Sequence, residues 1–456
     1  MGTDPVTSTP GLTGIDVVTP ADPGWDDARR AWNLVVDAHP EAVALPASAD
    51  AAAAAVRAAR RAGLRVAVQA TGHGASPRGS LAGALLINTS RMRGVTIDPA
   101  ARTARVEAGA LWMDVVPPAA EHGLAALHGS APDVGVVGYT LGGGVSWLSR
   151  RYGLAANSVT AVELVTAAGE AVRADADNEP DLFWALRGGG GSFGVVTALE
   201  FRLYPVDSVY AGWLVWPWEE TGRVLTRWSE WVETVPDEVT SIGRILQLPP
   251  LPELPDAFRG RKLVAVEAAI LAAEAEAARL LAPLRDLGPE LDTFAQAPVT
   301  ALSGLHMDPP EPVPGIGNGS LLDALPPEAV DALVGAAGPG SGSPLLSVEI
   351  RHMDGALGRA PAGAGALGRM AGRFGMYAVG VAMPPQAAPL VADEVARVNG
   401  VMSQWGSGRT FLNFADAPAD TRSMFDPEDH RRLREIRARV DPEALLQANQ
   451  PIPGGE

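Results

Sequence analysis

The chain has 456 residues, 47% of them hydrophobic and 20% charged, which is typical of a folded protein with two or three domains. Its net charge of −17 repels nucleic acid and anionic membranes, so neither is expected as a partner. The absence of cysteine excludes disulfides, thiolate metal sites and cysteine nucleophiles.

The N-terminal residues 1–23 are polar and acidic, without a basic stretch followed by an apolar core, which argues against a Sec signal peptide. No apolar run reaches the length needed to span a bilayer, so we expect a cytoplasmic protein. Lys262 is the only lysine, which excludes a P-loop nucleotidase. The preference for Arg, Ala and Gly indicates a GC-rich bacterial genome.

Helices and strands are predicted to alternate without regular βαβ spacing. A helix is expected at residues 25–38, and Ser48 caps a second at 49–62, which Gly63 ends. The further predicted helices are 145–152, 180–186, 272–284, 328–336 and 426–439. The predicted strands are 65–70, 84–88, 95–97, 103–106, 159–166, 170–174, 195–204, 263–270 and 345–350. This mixture indicates an α+β fold rather than a doubly wound sheet.

A first glycine stretch, residues 71–75, reads Thr-Gly-His-Gly-Ala and follows a predicted strand. Small residues allow main-chain N–H groups to converge on an anionic group such as a pyrophosphate. The alternative is a tight turn that carries an exposed histidine, His73.

A second glycine stretch covers residues 129–144 and begins Gly-Ser-Ala-Pro-Asp-Val-Gly. So many glycines indicate a close backbone approach to a ligand or to another strand, at the start of a helix whose N-terminus favours negative charge. The alternative is a structural loop.

A third stretch, residues 181–197, runs from an apolar helix through four glycines into a buried strand. Gly189, Gly191 and Gly194 match the letters of the dinucleotide fingerprint, but that fingerprint needs a strand before and a helix after. A Rossmann-type NAD site is therefore not expected.

In this order and spacing, the three stretches resemble the FAD-linked oxidases of the vanillyl-alcohol-oxidase type, with a PCMH-type FAD-binding domain, and specifically the berberine-bridge-enzyme-like branch. The resemblance is strong over residues 40–206 and weaker in the tail, where 411–414 resembles the strand that returns to the flavin domain. It implies a split, two-subdomain FAD-binding domain formed by residues 1–205 and 410–456. Residues 206–409 would form a cap domain with a large antiparallel sheet and flanking helices.

The resemblance also implies the residues that hold FAD. His73 falls where the family's histidine bonds to the C8 methyl group of the flavin, which anchors the cofactor and raises its redox potential. Val196 would lie near the adenine end. Ala131 stands where bicovalent members carry a cysteine, so a second tether is excluded. The implied cofactor-binding residues are Thr71, Gly72, His73, Gly74, Ala75, Ser130, Gly135, Gly138, Thr140, Gly142, Val196 and Asn413.

The family's usual base, the tyrosine of a Tyr-x-Asn motif, is Phe411 here, and a phenyl ring cannot accept a proton. The catalytic candidates are Glu349, Tyr139 and Asn413. Glu349 is expected to share one face of a cap strand with Ser347 and Arg351, opposite Val348, Ile350 and His352. Tyr377 is a further cap candidate. His306 lies in a Pro-rich loop, where a solvated histidine is expected, and no metal site is predicted.

The function predicted from the resemblance is an oxidase. FAD takes a hydride from an alcohol, sugar or amine carbon of a small molecule, and molecular oxygen reoxidises it. A role in secondary metabolism is expected, and a homodimer is left open. The alternatives are a flavoprotein that catalyses a redox-neutral cyclisation, which the loss of the tyrosine at Phe411 favours, and a binding protein without flavin.

Overall fold

The structure is a computed structural model that describes Leu12, residues 14–252 and residues 254–454. About half of the N-terminal segment on which the expectation about a signal peptide rests therefore lies outside the described residues. Within the described part of the chain, no helix has both the length and the apolar character needed to cross a bilayer.

The α-helices of the described residues are short and lie mostly on the surfaces of the sheets. In chain order they are α1 (Trp25–Arg29), α2 (Ala49–Ala62), α3 (Trp112–Ala120), α4 (Val136–Leu141), α5 (Ser149–Tyr152), α6 (Pro180–Leu186), α7 (Thr221–Trp231), α8 (Glu274–Arg285), α9 (Pro327–Ala337), α10 (Ala388–Met402) and α11 (Pro427–Val440).

The strands form three sheets. In chain order they are β1 (Val17–Val18), β2 (Ala42–Ala44), β3 (Arg65–Gln69), β4 (Ala84–Asn88), β5 (Val95–Asp98), β6 (Thr103–Glu107), β7 (Val159–Val165), β8 (Ala171–Asp175), β9 (Val195–Arg202), β10 (Ser208–Pro217), β11 (Val239–Gln247), β12 (Lys262–Ile270), β13 (Leu291–Asp292), β14 (Ala295–Pro298), β15 (Gly315–Leu322), β16 (Ser347–His352), β17 (Phe374–Val381) and β18 (Leu446–Gln447).

The first sheet has the order β1-β2-β4-β3-β18 and is mostly parallel. The second has the order β5-β6-β9-β7-β8 and is antiparallel. The third, an eight-stranded antiparallel sheet, has the order β13-β10-β12-β11-β16-β17-β15, with β14 beside β10. The predicted α+β class with a large antiparallel sheet is confirmed. The domain boundaries at residues 206 and 409 stay a prediction.

Local signals placed α2 correctly. The Ser48 hydroxyl accepts a hydrogen bond from the Ala51 amide at 3.2 Å, and Gly63 ends the helix with a φ of 67°, which a residue with a side chain rarely adopts. The alanine-rich face of α2 is buried against the first sheet.

Three predicted elements are wrong. The helix expected at 25–38 ends at Arg29, because the Trp32 amide turns away to donate to the Thr71 carbonyl at 2.8 Å. In the stretch 145–152 only α5 is helical. Residues 412–414 form a 3₁₀ turn instead of a returning strand, and β18 makes the return by pairing with β3.

The eight-stranded sheet has two unlike faces. Val348, Ile350 and Met376 lie on one face, in a core that includes residues of α7 to α10. The opposite face carries polar side chains, among them Glu349 and Arg351, as the alternation along β16 predicted. His352 lies on the apolar face, where its ring stacks on Phe374 at 5.8 Å.

A buried ion pair fixes the return of the chain to the first sheet. Asp441 pairs with Arg437 of α11 and accepts hydrogen bonds from the amides of Leu445 and Leu446, both at 2.8 Å. The Arg437 guanidinium also donates to the Leu446 carbonyl at 3.0 Å. Both side chains are almost fully buried, so each charge depends on the other.

We therefore expect Asp441→Ala to lower the free energy of unfolding by about 3 kcal/mol, because Arg437 would be left buried without a counter-ion. Chemical denaturation followed by circular dichroism measures the change. Asp256→Ala removes an exposed carboxylate paired with Arg259 and is the control, with an expected change of less than about 0.5 kcal/mol. Equal stability of the two variants would contradict the role of the pair.

Candidate functional site

The first glycine stretch, 71–75, holds His73 against Trp32, with ring centroids 4.1 Å apart and planes inclined by 21°. The Nε2 atom of His73 lies 3.5 Å from the Oδ1 atom of Asp133 in the second glycine stretch. Both atoms are buried, and neither has a hydrogen-bond partner among the described residues. Burial opposes ionisation of Asp133, but the nearby His73 outweighs it and holds the pKa of Asp133 below its usual value.

The two glycine stretches face each other with free main-chain amides. A Cβ atom on Gly135 would lie 3.3 Å from the Cβ atom of Ala70, which places the two loops in contact. At Gly138 the space is open, with no atom within 4 Å of the position of a Cβ. Among the amides that donate no hydrogen bond to another described residue are those of Gly72, His73, Gly74, Gly129, Ser130, Ala131, Val134, Gly135 and Gly138.

The other predicted cofactor residues differ in their surroundings. Thr140 is buried, and its hydroxyl has no partner among the described residues. Ala75 is buried. The hydroxyl of Ser130 donates to the Oδ2 atom of Asp308 at 2.7 Å. Val196 is buried in the core of the second sheet, so its side chain packs against protein.

Tyr139 lies beneath the second glycine stretch. Its ring would be 3.0 Å from a Cβ on Gly129 and 2.5 Å from one on Gly144, and it meets Trp112 edge to face at 5.4 Å. Its buried hydroxyl has no partner among the described residues, and burial raises the pKa of Tyr139 far above the usual range. This geometry suits packing better than proton transfer.

Asn413 joins the C-terminal segment to the second glycine stretch. Its Oδ1 atom accepts from the Gly144 amide at 3.1 Å, and its Nδ2 atom donates to the Tyr139 carbonyl at 3.2 Å. A Cβ on Gly142 would lie 2.7 Å from the Asn413 side chain, so a larger residue at 142 would displace that side chain. Phe411 is buried among apolar side chains, including Leu321.

The polar face of the eight-stranded sheet carries a buried cluster of charges, which we call the ionic cluster. It consists of Arg244, Glu267, His306, Asp308, Glu349 and Arg351. The Nδ1 atom of His306 lies 2.6 Å from Glu267, and its Nε2 atom lies 2.9 Å from Glu349. Arg351 pairs with Glu349 at 2.7 Å and Arg244 with Glu267 at 2.9 Å.

The expectation that His306 is solvated is therefore wrong. The side chain is 3% exposed, because acids from two separate strands, Glu267 and Glu349, enclose it. Burial and Arg244 oppose the charge of His306, but Glu267, Asp308 and Glu349 outweigh them and raise its pKa to about 9.

Glu349 is also held in its charged form. Burial alone would raise its pKa, but Arg351 and His306 outweigh burial and hold the pKa of Glu349 far below the usual range. The sequence offered a signal for the cluster, since Arg244 and Glu267 are isolated charges in strands that are otherwise largely buried. Among the described residues, no group of His, Asp and Glu side chains is arranged to hold a metal ion.

A second polar contact, between Tyr377 and Asp416, lies beside the ionic cluster. The Tyr377 hydroxyl donates to the Oδ2 atom of Asp416, which follows Asn413 by three residues. Tyr377 on β17 is the cross-strand neighbour of Glu349 on β16. Sequence reasoning did not single out Asp416, although an acid close to the Asn413 motif was a signal.

Comparison with known proteins identifies two regions of the chain. Residues 40–175 match the family described as FAD binding domain, and residues 410–453 match the family described as berberine and berberine like. The chain belongs to the berberine-bridge-enzyme-like FAD-linked oxidoreductases. The predicted family and the predicted cofactor, FAD, are thereby confirmed.

Individual relatives agree with this family. An (R)-6-hydroxynicotine oxidase of Paenarthrobacter nicotinovorans is 37% identical over 44% of this chain and 44% of its own length. An uncharacterised FAD-linked oxidoreductase of Bacillus subtilis is 30% identical over 67% of this chain and 66% of its own. The chain thus spans about half to two thirds of the length of these relatives.

A solved structure is similar over nearly the whole chain. The crystal structure of 6-hydroxy-D-nicotine oxidase from Arthrobacter nicotinovorans has a TM-score of 0.80 and 26% identity, and the match covers 95% of this chain and 97% of that one. The fold of this family of flavoproteins is therefore shared from end to end.

The residues of the two glycine stretches fit FAD. Free amides at Gly72 to Gly74 and at Gly129 to Ala131 offer donors to the oxygen and nitrogen atoms of the cofactor. The buried polar atoms without partners at His73, Asp133 and Thr140 lie in the same two loops. Buried polar groups are rarely left unsatisfied, so a polar ligand here accounts for them together.

The raised pKa of His306 predicts how stability depends on pH. Because the folded pKa, about 9, exceeds the unfolded value of 6.5, the stabilisation is complete below pH 6.5 and is lost as pH rises through 9. The loss is on the order of 3 kcal/mol. Thermal unfolding of wild type and of His306→Gln is measured from about pH 6 to 10. The difference between their free energies of unfolding, plotted against pH, isolates the contribution of His306. His122→Gln, an exposed histidine, is the control; a flat difference curve would contradict the buried imidazolium.

Proposed function

We propose that this protein is an oxidase. It removes a hydride from a carbon that bears a hydroxyl or amino group in a small polar molecule, and molecular oxygen is the final electron acceptor. The observation that carries the proposal is the ionic cluster, which meets the second glycine stretch where Ser130 and Arg351 line one small cavity. Such a wall of fixed charges is suited to orienting a polar substrate against the flavin.

The flavin-holding roles follow from the two glycine stretches. The free amides and the Thr140 hydroxyl would hold the cofactor, Asn413 would keep the second stretch in place, and His73 would form the covalent tether. Trp32 and Asp133 fix the orientation of the His73 ring by stacking and by charge. When bound, FAD supplies the hydride acceptor.

We assign Glu349 and Arg351 to substrate binding. Glu349 stays ionised because Arg351 and His306 stabilise its charge, and a carboxylate so stabilised is a weak proton acceptor. Arg351 is fixed by Glu349 and by the face of Phe414, 5.3 Å away. Together they present charges of both signs to a hydroxyl or amino group.

Support for an oxidase also comes from the relative named as an (R)-6-hydroxynicotine oxidase. The substrate class, a bacterial source, a cytoplasmic location, a role in secondary metabolism and a homodimer stay predictions.

The oxidase proposal predicts that oxygen consumption accompanies turnover. D-glucose, xylobiose, benzyl alcohol and benzylamine serve as probes, first by anaerobic bleaching of the flavin absorbance and then in air. We expect at least one probe to bleach the flavin and to release one peroxide per oxygen consumed. Product that accumulates while oxygen consumption stays at background would instead support the redox-neutral cyclisation. No bleaching with any probe would count against this substrate class.

The covalent tether predicts that the yellow colour stays with acid-precipitated wild-type protein. In His73→Ala the colour is expected in the supernatant, because noncovalent FAD is released when the fold is lost. His39→Ala is the control, since His39 is exposed and pairs only with Asp37. A colourless wild-type pellet would contradict the covalent tether, but not the proposal that main-chain amides hold the cofactor.

A further inference from the structure

We propose that Tyr377 and Asp416 form the proton acceptor of this oxidation, in place of the tyrosine that the family carries at the position of Phe411. The inference rests on the proposed oxidase function. It names the residues that take the proton from the substrate's hydroxyl or amino group.

Tyr377 is held at the polar face of the eight-stranded sheet. In register it lies between Gly319 on β15 and Glu349 on β16, so its side chain shares the face of the ionic cluster. A Cβ atom on Gly317 would lie 2.3 Å from the Tyr377 hydroxyl, so glycine at 317 leaves the space that the hydroxyl occupies. The side chain thus lies on the face of the sheet that carries the ionic cluster, with its hydroxyl over β15, the neighbour of β17 on the side away from β16.

Asp416 contacts the Tyr377 hydroxyl from the C-terminal segment of the chain. It belongs to the C-terminal segment, which Asn413 anchors to the second glycine stretch three residues earlier. His73 of the first glycine stretch also lies near enough to oppose the rise in the pKa of Asp416. The carboxylate accepts the hydrogen bond of Tyr377, so the C-terminal segment meets the eight-stranded sheet at this contact.

Phe411 cannot accept a proton, and its surroundings give it a packing role instead. Its ring is 3% exposed and packs with Met353, Leu357 and Met370. In this chain the tyrosine comes from the sheet and the carboxylate from the C-terminal segment.

The substrate O–H or N–H bond breaks, and its proton passes to the oxygen of Tyr377. The original Tyr377 O–H bond breaks in turn, and that proton passes to the Oδ2 atom of Asp416. The substrate C–H bond breaks with its electron pair, which leaves as hydride to FAD as the oxidant, and a C=O or C=N bond forms. Asp416 carries the net proton.

The surroundings of Asp416 suit this role near neutral pH. Burial raises its pKa to about 6, against the opposing effects of the Tyr377 hydrogen bond and of His73. Tyr377 is faced in addition by Glu349 and Asp308, whose negative charges, after burial and Asp416, raise its pKa well above the usual value. Tyr377 is therefore protonated and relays a proton, while Asp416 is the group that titrates.

The experiment compares wild-type holoenzyme with Tyr377→Phe and Asp416→Asn. Tyr210→Phe and Asp292→Asn are matched controls, because both groups bond to Arg285 elsewhere in the sheet. The first readout needs no substrate: the flavin absorbance is followed from about pH 4.5 to 8. We expect a transition near pH 6 in wild type and in both controls, and none in Asp416→Asn.

The second readout is the anaerobic bleaching rate with the probe, among the four above, that reduces wild type fastest. We expect both site variants to lose at least about 100-fold, with the pH dependence near 6 removed in Asp416→Asn. If the hydrogen bond between Tyr377 and Asp416 only held the C-terminal segment against the sheet, both site variants would lose thermal stability but keep the wild-type pH profile of bleaching.

The inference is overturned if Asp416→Asn keeps the wild-type transition, or if both site variants bleach within about threefold of wild type with its pH profile. If no probe bleaches wild type, that result counts against the proposed substrate class and not against the inference. The absorbance titration still decides the inference in that case: loss of the transition in Asp416→Asn supports it, and its retention overturns it.

Discussion

Main-chain amides without internal acceptors are the constraint on which the rest of the structure depends. Two loops, 71–75 and 129–138, present such amides to each other, and no described residue accepts their hydrogen bonds. The same loops bury side-chain polar atoms without partners at His73 and Asp133, and a polar ligand rich in acceptors would satisfy the loops, because an unpaired buried polar group costs about as much as a lost hydrogen bond. The glycines bring the loops together, and FAD, the cofactor of this family, is such a ligand.

The ionic cluster is the complementary half of the site. Three positive and three negative groups, if His306 is counted as charged, share one face of the eight-stranded sheet. Buried charges persist only when paired, so Glu267, His306 and Glu349 depend on one another. The opposite face of the same strands packs on helices α7 to α10 as an ordinary apolar core. One sheet thereby provides a rigid support and a charged surface, which is the arrangement that a precise binding site needs.

Local patterns predicted the parts of the fold that depend on neighbouring residues, such as the helix between Ser48 and Gly63 and the loop at His73. They also placed Glu349 on the correct face of β16, since side chains alternate along a strand. They failed where distant residues decide. His306 is buried because Glu267 and Glu349, each about forty residues away, enclose it, and no local pattern around its Pro-rich loop records that contact.

In the C-terminal segment, too, local patterns failed because contacts with distant residues decide the structure. Residues 411–414 read as a strand, but the segment is fixed by side chains rather than by a ladder: Asn413 bonds to the second glycine stretch, and Asp416 to Tyr377. Phe411 belongs to this arrangement. A tyrosine hydroxyl among Met353, Leu357 and Met370 would be buried without a polar partner in that cluster, at a cost of about 1–3 kcal/mol. The apolar cluster thus selects phenylalanine at 411, and the only hydroxyl–carboxylate contact that this segment makes with the sheet, within the described residues, is the one at Tyr377.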